Sequence, residues 1–263
     1  MDLQLQDKIF MVAASSKGLG FGIAQELARN GATVCIASRT EADVEKAAEK
    51  LRSKTGANVY ASVADMADPD SIRNWISDVT LAFEQIDGLV VNAGGPPPGN
   101  FDDFDDQHWE AAFNLTLMSA VRLIRGVLPA MRTSGGGSIL TITSLSVKEP
   151  INGLLLSNVF RSGVTSLVKS LSNELAAENI RVNNLVPGRI DTDRVKALDQ
   201  NISEKSGATA QQVKEKFEAS IPLGRYGTVE EFGKAGAFLL SPAASYITGV
   251  SLAVDGGILK TVW

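Results

Sequence analysis

A glycine-rich turn at residues 13–20 has the residue types and spacing that most directly indicate chemistry. It reads AASSKGLG and lies between a short apolar run and a stretch with apolar residues at helical spacing. Gly18 and Gly20 would let the backbone approach a pyrophosphate closely, and the following helix would offer unpaired N–H groups to the anion. Strand, turn and helix in this order are the context that a dinucleotide site requires. A purely structural turn is the alternative.

Two cations lie where they could bind one more phosphate. Lys17 is inside the turn, and Arg39 follows the second apolar run in the sequence ASRT, which carries no Asp or Glu. An acid at that point would repel a 2′-phosphate, whereas an arginine can pair with it through two hydrogen bonds. The sequence therefore predicts NADP(H) rather than NAD(H) as cofactor. The alternative is two ordinary surface cations.

The chain has few side chains suited to metal binding or acid–base chemistry: one His, one Cys and three Tyr. A lone Cys35 excludes an intramolecular disulfide, and a single His108 excludes a multi-histidine metal centre. The four aspartates within residues 102–106 lack the spacing of a calcium loop and are typical of a solvated helix entry. We therefore predict no metal site, and the cysteine usage fits a reducing cytoplasm.

The charge balance argues against some classes of partner. The chain has 25 Lys and Arg against 30 Asp and Glu, a net charge of −5, without a dense basic stripe. Nucleic acid and membrane surfaces are therefore not expected partners. The first residues, MDLQLQDK, do not resemble a signal peptide. No run approaches the roughly 18 uninterrupted apolar residues of a membrane span. We expect a cytoplasmic protein that acts on a small molecule.

Short apolar runs alternate with helix-like stretches along the whole chain. Continuous Val/Ile/Leu-rich runs separated by helices indicate a parallel sheet that is covered on both faces. We predict one doubly wound α/β domain of Rossmann type over residues 1–263. Strands are predicted at 8–14, 33–37, 59–63, 88–92, 138–143, 181–186 and 251–254, and helices at 20–30, 41–54, 68–83, 108–131, 155–178 and 230–240.

Two stretches interrupt this alternation. Residues 94–99 (GGPPPG) form a rigid turn directly after a strand, at the position where open α/β sheets bind ligands. Residues 190–226 form a long charged segment between the last two strands. A solvated surface excursion is one interpretation. A substrate-covering segment is favoured, because the segment begins at the carboxyl end of a strand.

Together these motifs resemble the short-chain dehydrogenase/reductase family over essentially the whole chain. The glycine-rich turn is similar to the family's TGxxxGxG, Asn92-Ala93-Gly94 to most of its NNAG motif, and Pro187-Gly188 with Thr192 to its PGxxxT segment. Residues 221–225 (IPLGR) and 254–257 (VDGG) resemble its C-terminal signatures. The resemblance implies a homotetramer or homodimer formed through the helices at 108–131 and 155–178.

The resemblance also implies which residues contact the cofactor. Asp65 occupies the place of the family's adenine-contacting Asp, and the PGxxxT segment would lie at the nicotinamide end. With Arg39 included, the expected cofactor-binding residues are Ser15, Ser16, Lys17, Gly18, Leu19, Gly20, Arg39, Asp65, Met66, Asn92, Ala93, Gly94, Arg161, Pro187, Gly188, Ile190 and Thr192.

The glycine-rich turn departs from the family at its first two residues. The family's Thr-Gly pair is Ala13-Ala14 in this chain, so the first glycine of the turn has gained a methyl group. We expect cofactor binding to persist if Ala14 keeps a negative φ, because glycine alone adopts positive φ without cost.

A larger departure concerns the proton donor. In the family a YxxxK pair follows the catalytic Ser, which is Ser144 by resemblance, by thirteen residues; the Tyr is the general acid/base and the Lys lowers its pKa. Those two positions hold Ser157 and Arg161 in this chain. A serine hydroxyl is a far weaker acid than a tyrosine, and a guanidinium does not release its proton usefully.

The predicted catalytic residues are Ser144, Asn114, Ser157 and Arg161. Asn114 falls where the family keeps an active-site Asn, and with Ser144 it would orient the substrate oxygen. Arg161 would bind ribose or stabilise developing negative charge. Ser157 would join Ser144 and Ser146 in holding a water that relays the proton.

Alternatives remain for the proton donor and for the function. Tyr226, in the turn that closes residues 190–226, or Lys148 could supply the proton instead. The sequence predicts an NADP(H)-dependent oxidoreductase of a small carbonyl or alcohol, similar to 3-oxoacyl reductases, with a non-standard active site. The alternative is an NADP(H)-binding protein, a sensor or oligomeric partner, with vestigial or no redox activity.

Overall fold

Seven parallel strands form one sheet at the centre of the molecule. They are β1 (Ile9–Val12), β2 (Thr33–Ser38), β3 (Val59–Val63), β4 (Gly88–Val91), β5 (Gly137–Ile142), β6 (Ile180–Pro187) and β7 (Ser251–Val254). The computed structural model describes residues 2–262, and its strand order is β3-β2-β1-β4-β5-β6-β7. The order reverses between β1 and β4, which opens a crevice beyond the carboxyl ends of these two strands.

Helices connect the strands and cover both faces of the sheet. They are α1 (Gly18–Arg29), α2 (Glu41–Thr55), α3 (Pro69–Phe83), α4 (Asp106–Ala112), α5 (Ser119–Thr133), α6 (Leu155–Glu174), α7 (Asp193–Ser206), α8 (Ala210–Ser220) and α9 (Val229–Leu240). The predicted single-domain, doubly wound α/β fold is confirmed, with each predicted strand and helix present within a few residues of its expected bounds.

Two apolar layers bury the two faces of the sheet. One layer includes Trp75 of α3 and Leu123 of α5, and the other includes Ile23 of α1 and Phe232 of α9. Successive residues of β1 enter opposite layers, so all four are buried. This double burial explains why the strand sequences are continuously apolar rather than alternating.

The helix predicted at 108–131 is part of a longer helical stretch, Asp106–Thr133, that contains a π-helical turn, Phe113–Met118. Within residues 2–262, this stretch alone has the length and composition of a membrane-crossing helix, with a mean hydropathy of 1.3 over its most apolar 18 residues. Its buried residues Leu123, Ile124 and Val127 pack in the core instead. Composition of this kind is also typical of a core helix.

The segment 190–226 contains two helices, α7 and α8, and is tied down at both ends. Arg189, just before it, donates from Nη1 to Oδ1 of Asp199 in α7 at 2.6 Å. Tyr226, at its end, donates from its hydroxyl to Oδ2 of the same carboxylate at 2.9 Å. Asp199 is buried, so its two partners offset the cost of removing a charge from water.

Candidate functional site

The glycine-rich turn connects β1 to α1 at the point where the strand order reverses. Gly18 has a φ of +62°. Lys17, the N-cap residue of α1, makes no side-chain capping bond, and the first turn of α1 itself contains no acid. The first N–H groups of the helix are therefore not used by side-chain caps, as anion binding at a helix N-terminus requires.

Three of the expected cofactor-binding residues have buried side chains. The hydroxyl of Ser15 donates to the carbonyl of Val12 at 2.6 Å and accepts from the amide of Ala37 at 3.4 Å. Met66 and Ile190 are packed in the core. These three side chains support the crevice, so any contact of these residues with a cofactor would come from their backbones.

Ala14 does not meet the condition set by the sequence, because its φ is +46° rather than negative. The left-handed region costs an L-residue roughly 1–2 kcal/mol. The amide of Asn92, at the end of β4, donates from Nδ2 to the carbonyl of Ala14 at 2.9 Å and to that of Ala13 at 3.3 Å. Asn92 therefore fixes the strained turn to the neighbouring strand and does not present its amide nitrogen to a ligand.

The backbone around the crevice is open where a dinucleotide would approach. A Cβ built on Gly18 would meet only the methyl of Thr192, at 3.9 Å, and one built on Gly94 would meet nothing within 4 Å. Gly20, by contrast, is packed tightly, since an added Cβ would lie 2.9 Å from Nδ2 of Asn92. Open backbone beside a helix N-terminus fits the dinucleotide class that the sequence predicts.

The cations proposed for a third phosphate are both exposed. Arg39 follows β2 directly, and Lys17 lies 3.9 Å from the carboxylate of Asp193 in α7, with both side chains largely in solvent. The Asp65 carboxylate accepts from the amide of Ala67 at 2.9 Å, which fixes the loop that follows β3.

Ser144 follows the carboxyl end of β5, and Arg161 is bonded to the backbone at the same strand end. Ser144 caps a short 3-10 turn, and its hydroxyl accepts from the amide of Ser146 at 3.1 Å. Arg161, one turn beyond Ser157 on α6, donates from Nη1 to the carbonyls of Ile142 at 2.9 Å and of Thr143 at 3.2 Å. The guanidinium is thus fixed against the backbone that immediately precedes Ser144.

The Arg161 guanidinium differs from a surface cation in its burial and in its lowered pKa. Burial, with a smaller contribution from the nearby Arg194, lowers the pKa of Arg161 to about 10. It therefore stays protonated at neutral pH, and its charge is poorly screened by water. The arrangement can stabilise a developing negative charge but cannot shuttle a proton.

Asn114 lies in the π-helical turn but its side chain is engaged there. Its Nδ2 donates to the carbonyl of Glu110 at 3.1 Å, and its Oδ1 accepts from Nη2 of Arg122 at 2.9 Å. Among the hydrogen bonds of the described residues, none links Asn114 to Ser144, Ser157 or Arg161. The Asn114 amide is therefore not hydrogen-bonded to the other three predicted catalytic side chains within residues 2–262.

A small cavity behind Arg161 was not signalled by any sequence motif. It has a volume of about 10 Å³ and is lined by Asn92, Thr116, Ser119 and Arg161 among others. A volume of this size is near the minimum that holds one water molecule. The hydroxyl of Thr116 is buried and has no partner in the described part of the chain. Thr116 is therefore a further polar residue of the site.

The alternative proton donors differ in their availability. The Tyr226 hydroxyl is bonded to Asp199 inside the protein, and burial raises the pKa of Tyr226 above its usual value. Moving Tyr226 over the site would break this buried bond, which argues against Tyr226 as the proton donor. Tyr60 packs edge-on against Phe83, and Lys148 ends the 3-10 turn that follows Ser144.

The remaining reactive side chains have structural surroundings. His108 donates its amide to the Asp105 carboxylate at 3.0 Å at the start of α4, with its ring 2.6 Å from the same oxygen. Cys35 is buried in β2, where desolvation raises the pKa of its thiol to about 12. Within residues 2–262, no group of three or more His, Cys, Asp or Glu side chains could hold a metal ion.

The seven-stranded parallel sheet, its switch-point crevice and the serine and cation beside it define a dinucleotide-binding α/β protein. Residues 13–259 match the family described as enoyl-(acyl carrier protein) reductase. The 3-oxoacyl-[acyl-carrier-protein] reductase FabG of Chlamydia muridarum is 33% identical over 258 residues, 98% of this chain and 100% of the relative. The chain belongs to the short-chain dehydrogenase/reductase family.

Solved structures agree with this assignment. The L-sorbose reductase of Gluconobacter frateurii, in complex with NADPH and L-sorbose, has a TM-score of 0.95 at 31% identity and covers 100% of both chains. YwfH, an NADPH-dependent reductase involved in bacilysin biosynthesis, has a TM-score of 0.93 at 29% identity and covers 98% of this chain and 100% of its own.

Proposed function

We propose that the protein is an NADP(H)-dependent oxidoreductase that interconverts a small ketone and its alcohol, similar to 3-oxoacyl reductases. The observation that carries the proposal is the Arg161 guanidinium, fixed by two carbonyl groups at the end of β5 beside Ser144. A fixed cation and a hydroxyl at the edge of a dinucleotide crevice are suited to polarising a carbonyl oxygen.

NADP(H) is the proposed cofactor. The N-terminal amides of α1 and the open backbone at Gly18 would hold its pyrophosphate, and Lys17 and Arg39 would pair with its 2′-phosphate. Bound NADPH supplies a hydride to the carbonyl carbon; overall, one ketone, one NADPH and one proton give one alcohol and NADP⁺. The NADPH in the L-sorbose reductase structure supports this choice.

Ser144 and Arg161 would act on the substrate oxygen. The Ser144 hydroxyl would donate to it, and Arg161 would stabilise the negative charge that develops there. Because Arg161 keeps its proton, the proton that completes the alcohol would come from water, relayed by Ser144, Ser146 and Ser157. The Ser146 hydroxyl is buried without a partner among the described residues, which supports this relay.

Asn114 would help to position the substrate from outside the relay. Its amide joins Arg122 and Glu110 across the π-helical turn, and this turn also presents Thr116 to the cavity behind Arg161. Residues 190–226 would cover the substrate. Arg194 of this segment already reaches the opposite wall of the crevice, where it donates to the carbonyl of Pro96 at 3.2 Å.

We also propose a cytoplasmic homodimer or homotetramer formed through helices 108–131 and 155–178. Phe113 and Val159 are 40% and 44% exposed on these helices, and Phe160 packs against Trp109 and Phe113 beside them. An apolar face of this kind is typical of a protein interface. Light scattering at micromolar concentration is expected to give a dimer or tetramer, and a monomer would contradict the proposal.

The function is tested by measuring NADPH binding by calorimetry and NADPH oxidation with a panel of ketones. We expect binding and turnover in the wild type, and a loss of about 10²- to 10³-fold in kcat for Ser144→Ala, which removes a donor to the substrate oxygen. Lys54→Gln, an exposed change in the last turn of α2 and outside the site, is the matched control. Binding of NADPH with no oxidation by any ketone would favour the NADP(H)-binding protein without redox activity.

A further inference from the structure

Two arginines flank one short stretch of chain at the mouth of the crevice. Arg161 lines the small cavity together with Asn92 and Ala93, just after β4. Arg194 lies against Gly95, where an added Cβ would be 3.0 Å from Nη2, and donates to the carbonyl of Pro96. A stretch from residue 92 to 96 spans at most about 14 Å. The two guanidinium groups are therefore close enough for Arg194 to contribute to the lowered pKa of Arg161.

Neither guanidinium has a carboxylate partner within 4.0 Å among residues 2–262. The acids next to Arg194 in sequence are engaged elsewhere: Asp191 lies 3.2 Å from Lys196, and Asp193 is near Lys17. Asp255, directly after β7, accepts from two backbone amides of the C-terminal turn. The mouth of the crevice therefore carries an uncompensated positive charge on a chain whose net charge is −5.

Arg194 has no evident structural duty that would explain this charge. Arg161 supports two carbonyls of the β5 exit, but Arg194 is an exposed residue whose side chain makes, within residues 2–262, one hydrogen bond, to the carbonyl of Pro96. Two like charges near each other destabilise one another, and an anion bound between them would remove that cost. The two guanidinium groups would therefore repel each other less with an anion bound between them than in the free protein.

Arg194 lies at the end of the crevice where the substrate would bind. The loop it contacts is joined to the start of α6, where the amide of Gly99 donates to the carbonyl of Gly153 at 2.7 Å and that of Leu155 to Gly99 at 3.2 Å. Ser157 and Arg161 follow on that same helix. Arg194, the loop of residues 94–99 and the part of α6 that carries Ser157 and Arg161 therefore lie along one side of the crevice. The expected donors to the cofactor pyrophosphate are different groups, at the N-terminus of α1.

We propose that the substrate is an oxo acid whose carboxylate pairs with Arg194 while its ketone meets Ser144 and Arg161. This inference rests on the proposed function, since it names the substrate class of the same site. An arginine at the rim can form two parallel hydrogen bonds with a carboxylate, which an ester or amide cannot match. The chemistry is otherwise unchanged: the ketone becomes an alcohol, one NADPH is oxidised and one proton is consumed.

The experiment compares acetoacetate with methyl acetoacetate as substrates of the wild type, Arg194→Gln, Arg194→Lys and the control Lys54→Gln. We expect the wild type to favour the acid by about tenfold or more in kcat/KM, and Arg194→Gln to lose that preference because kcat/KM falls much more for the acid than for the ester. Arg194→Lys should keep part of the preference, because it retains the charge and loses the second hydrogen bond. Lys54→Gln should match the wild type, because Lys54 is exposed on α2 and lies outside the site.

Three results would overturn the inference. One is equal use of acid and ester by the wild type, which leaves the proposed reductase intact. Another is a loss of NADPH affinity in Arg194→Gln, measured by calorimetry, with the preference for acid unchanged; Arg194 would then bind the cofactor. If neither compound is reduced, 3-hydroxybutyrate and its methyl ester are titrated into the NADP⁺ complex. If the acid binds more tightly than the ester and Arg194→Gln removes that difference, the anion site is upheld although the proposed reaction fails. If acid and ester bind equally, the inference is overturned.

Discussion

Replacing Ala14 by glycine should stabilise the protein, because Ala14 has a φ of +46° in the turn that precedes α1. The left-handed conformation costs an L-residue about 1–2 kcal/mol. Glycine removes that cost but loses roughly 0.5–1 kcal/mol through its greater freedom in the unfolded chain. The difference between these two ranges is about 0–1.5 kcal/mol, so the central expectation is a gain of about 0.75 kcal/mol in the free energy of unfolding. For a chain of this size, that corresponds to a rise of roughly 1–4 °C in Tm.

The assay is thermal and urea unfolding of the wild type, Ala14→Gly and Ala13→Gly. Ala13 is the matched control because it is the adjacent alanine, is fully buried and does not have a positive φ. Ala13→Gly should therefore lower the unfolding free energy, opposite in sign to Ala14→Gly. If both variants were destabilised to a similar extent, the argument that Ala14 is conformationally strained would be refuted.

Three further changes test other contacts. Tyr226→Phe should lower the free energy of unfolding by about 1.5–3 kcal/mol, because it removes a hydrogen bond to the buried Asp199 carboxylate; an unchanged urea midpoint would argue against that bond. Gly20→Ala should weaken NADPH binding about tenfold in calorimetry, since the added Cβ would lie 2.9 Å from Nδ2 of Asn92 and 3.0 Å from the Ala14 carbonyl oxygen; wild-type affinity would mean that the turn tolerates a shift. Contacts with Arg225 and Thr228 lower the pKa of Glu231 from 4.5 to about 2, so its contribution to stability is present above pH 4.5 and is lost as the pH falls toward 2. Glu231→Gln should be less stable than the wild type at neutral pH, with the difference shrinking through that range; a difference independent of pH would contradict the assignment.

The sequence predicted the fold well because the fold depends on patterns that are local. Doubly buried strands require continuous apolar runs, and helices that cover a sheet require apolar residues at helical spacing. The run of residues 88–92 and the spacing in 41–54 therefore located β4 and α2 to within a residue. The π-helical turn Phe113–Met118 was not predicted, since one irregular turn leaves the overall helical periodicity almost unchanged.

The site was predicted less completely, because its chemistry depends on contacts between distant parts of the chain. The cation at position 161 was visible in the sequence, but its bonds to the carbonyls of β5 were not. Tyr226 looked available because no pattern links it to Asp199, 27 positions away in the chain. The sequence did not single out Arg194, because it lies just beyond the PGxxxT segment and matches no motif. A count of the charged residues around 187–194 would have shown a second arginine near the crevice.

Hydride transfer is the central claim, and deuterium labelling tests it most directly. The wild type would be incubated with acetoacetate and with NADPH that carries deuterium at both hydrogen positions of nicotinamide C4, and the mass of the alcohol product would be measured by mass spectrometry. The account predicts one deuterium on the new carbinol carbon in the wild type and far less product with Ser144→Ala. Alcohol that forms without the label, or labelled alcohol that forms equally fast without the Ser144 hydroxyl, would contradict it.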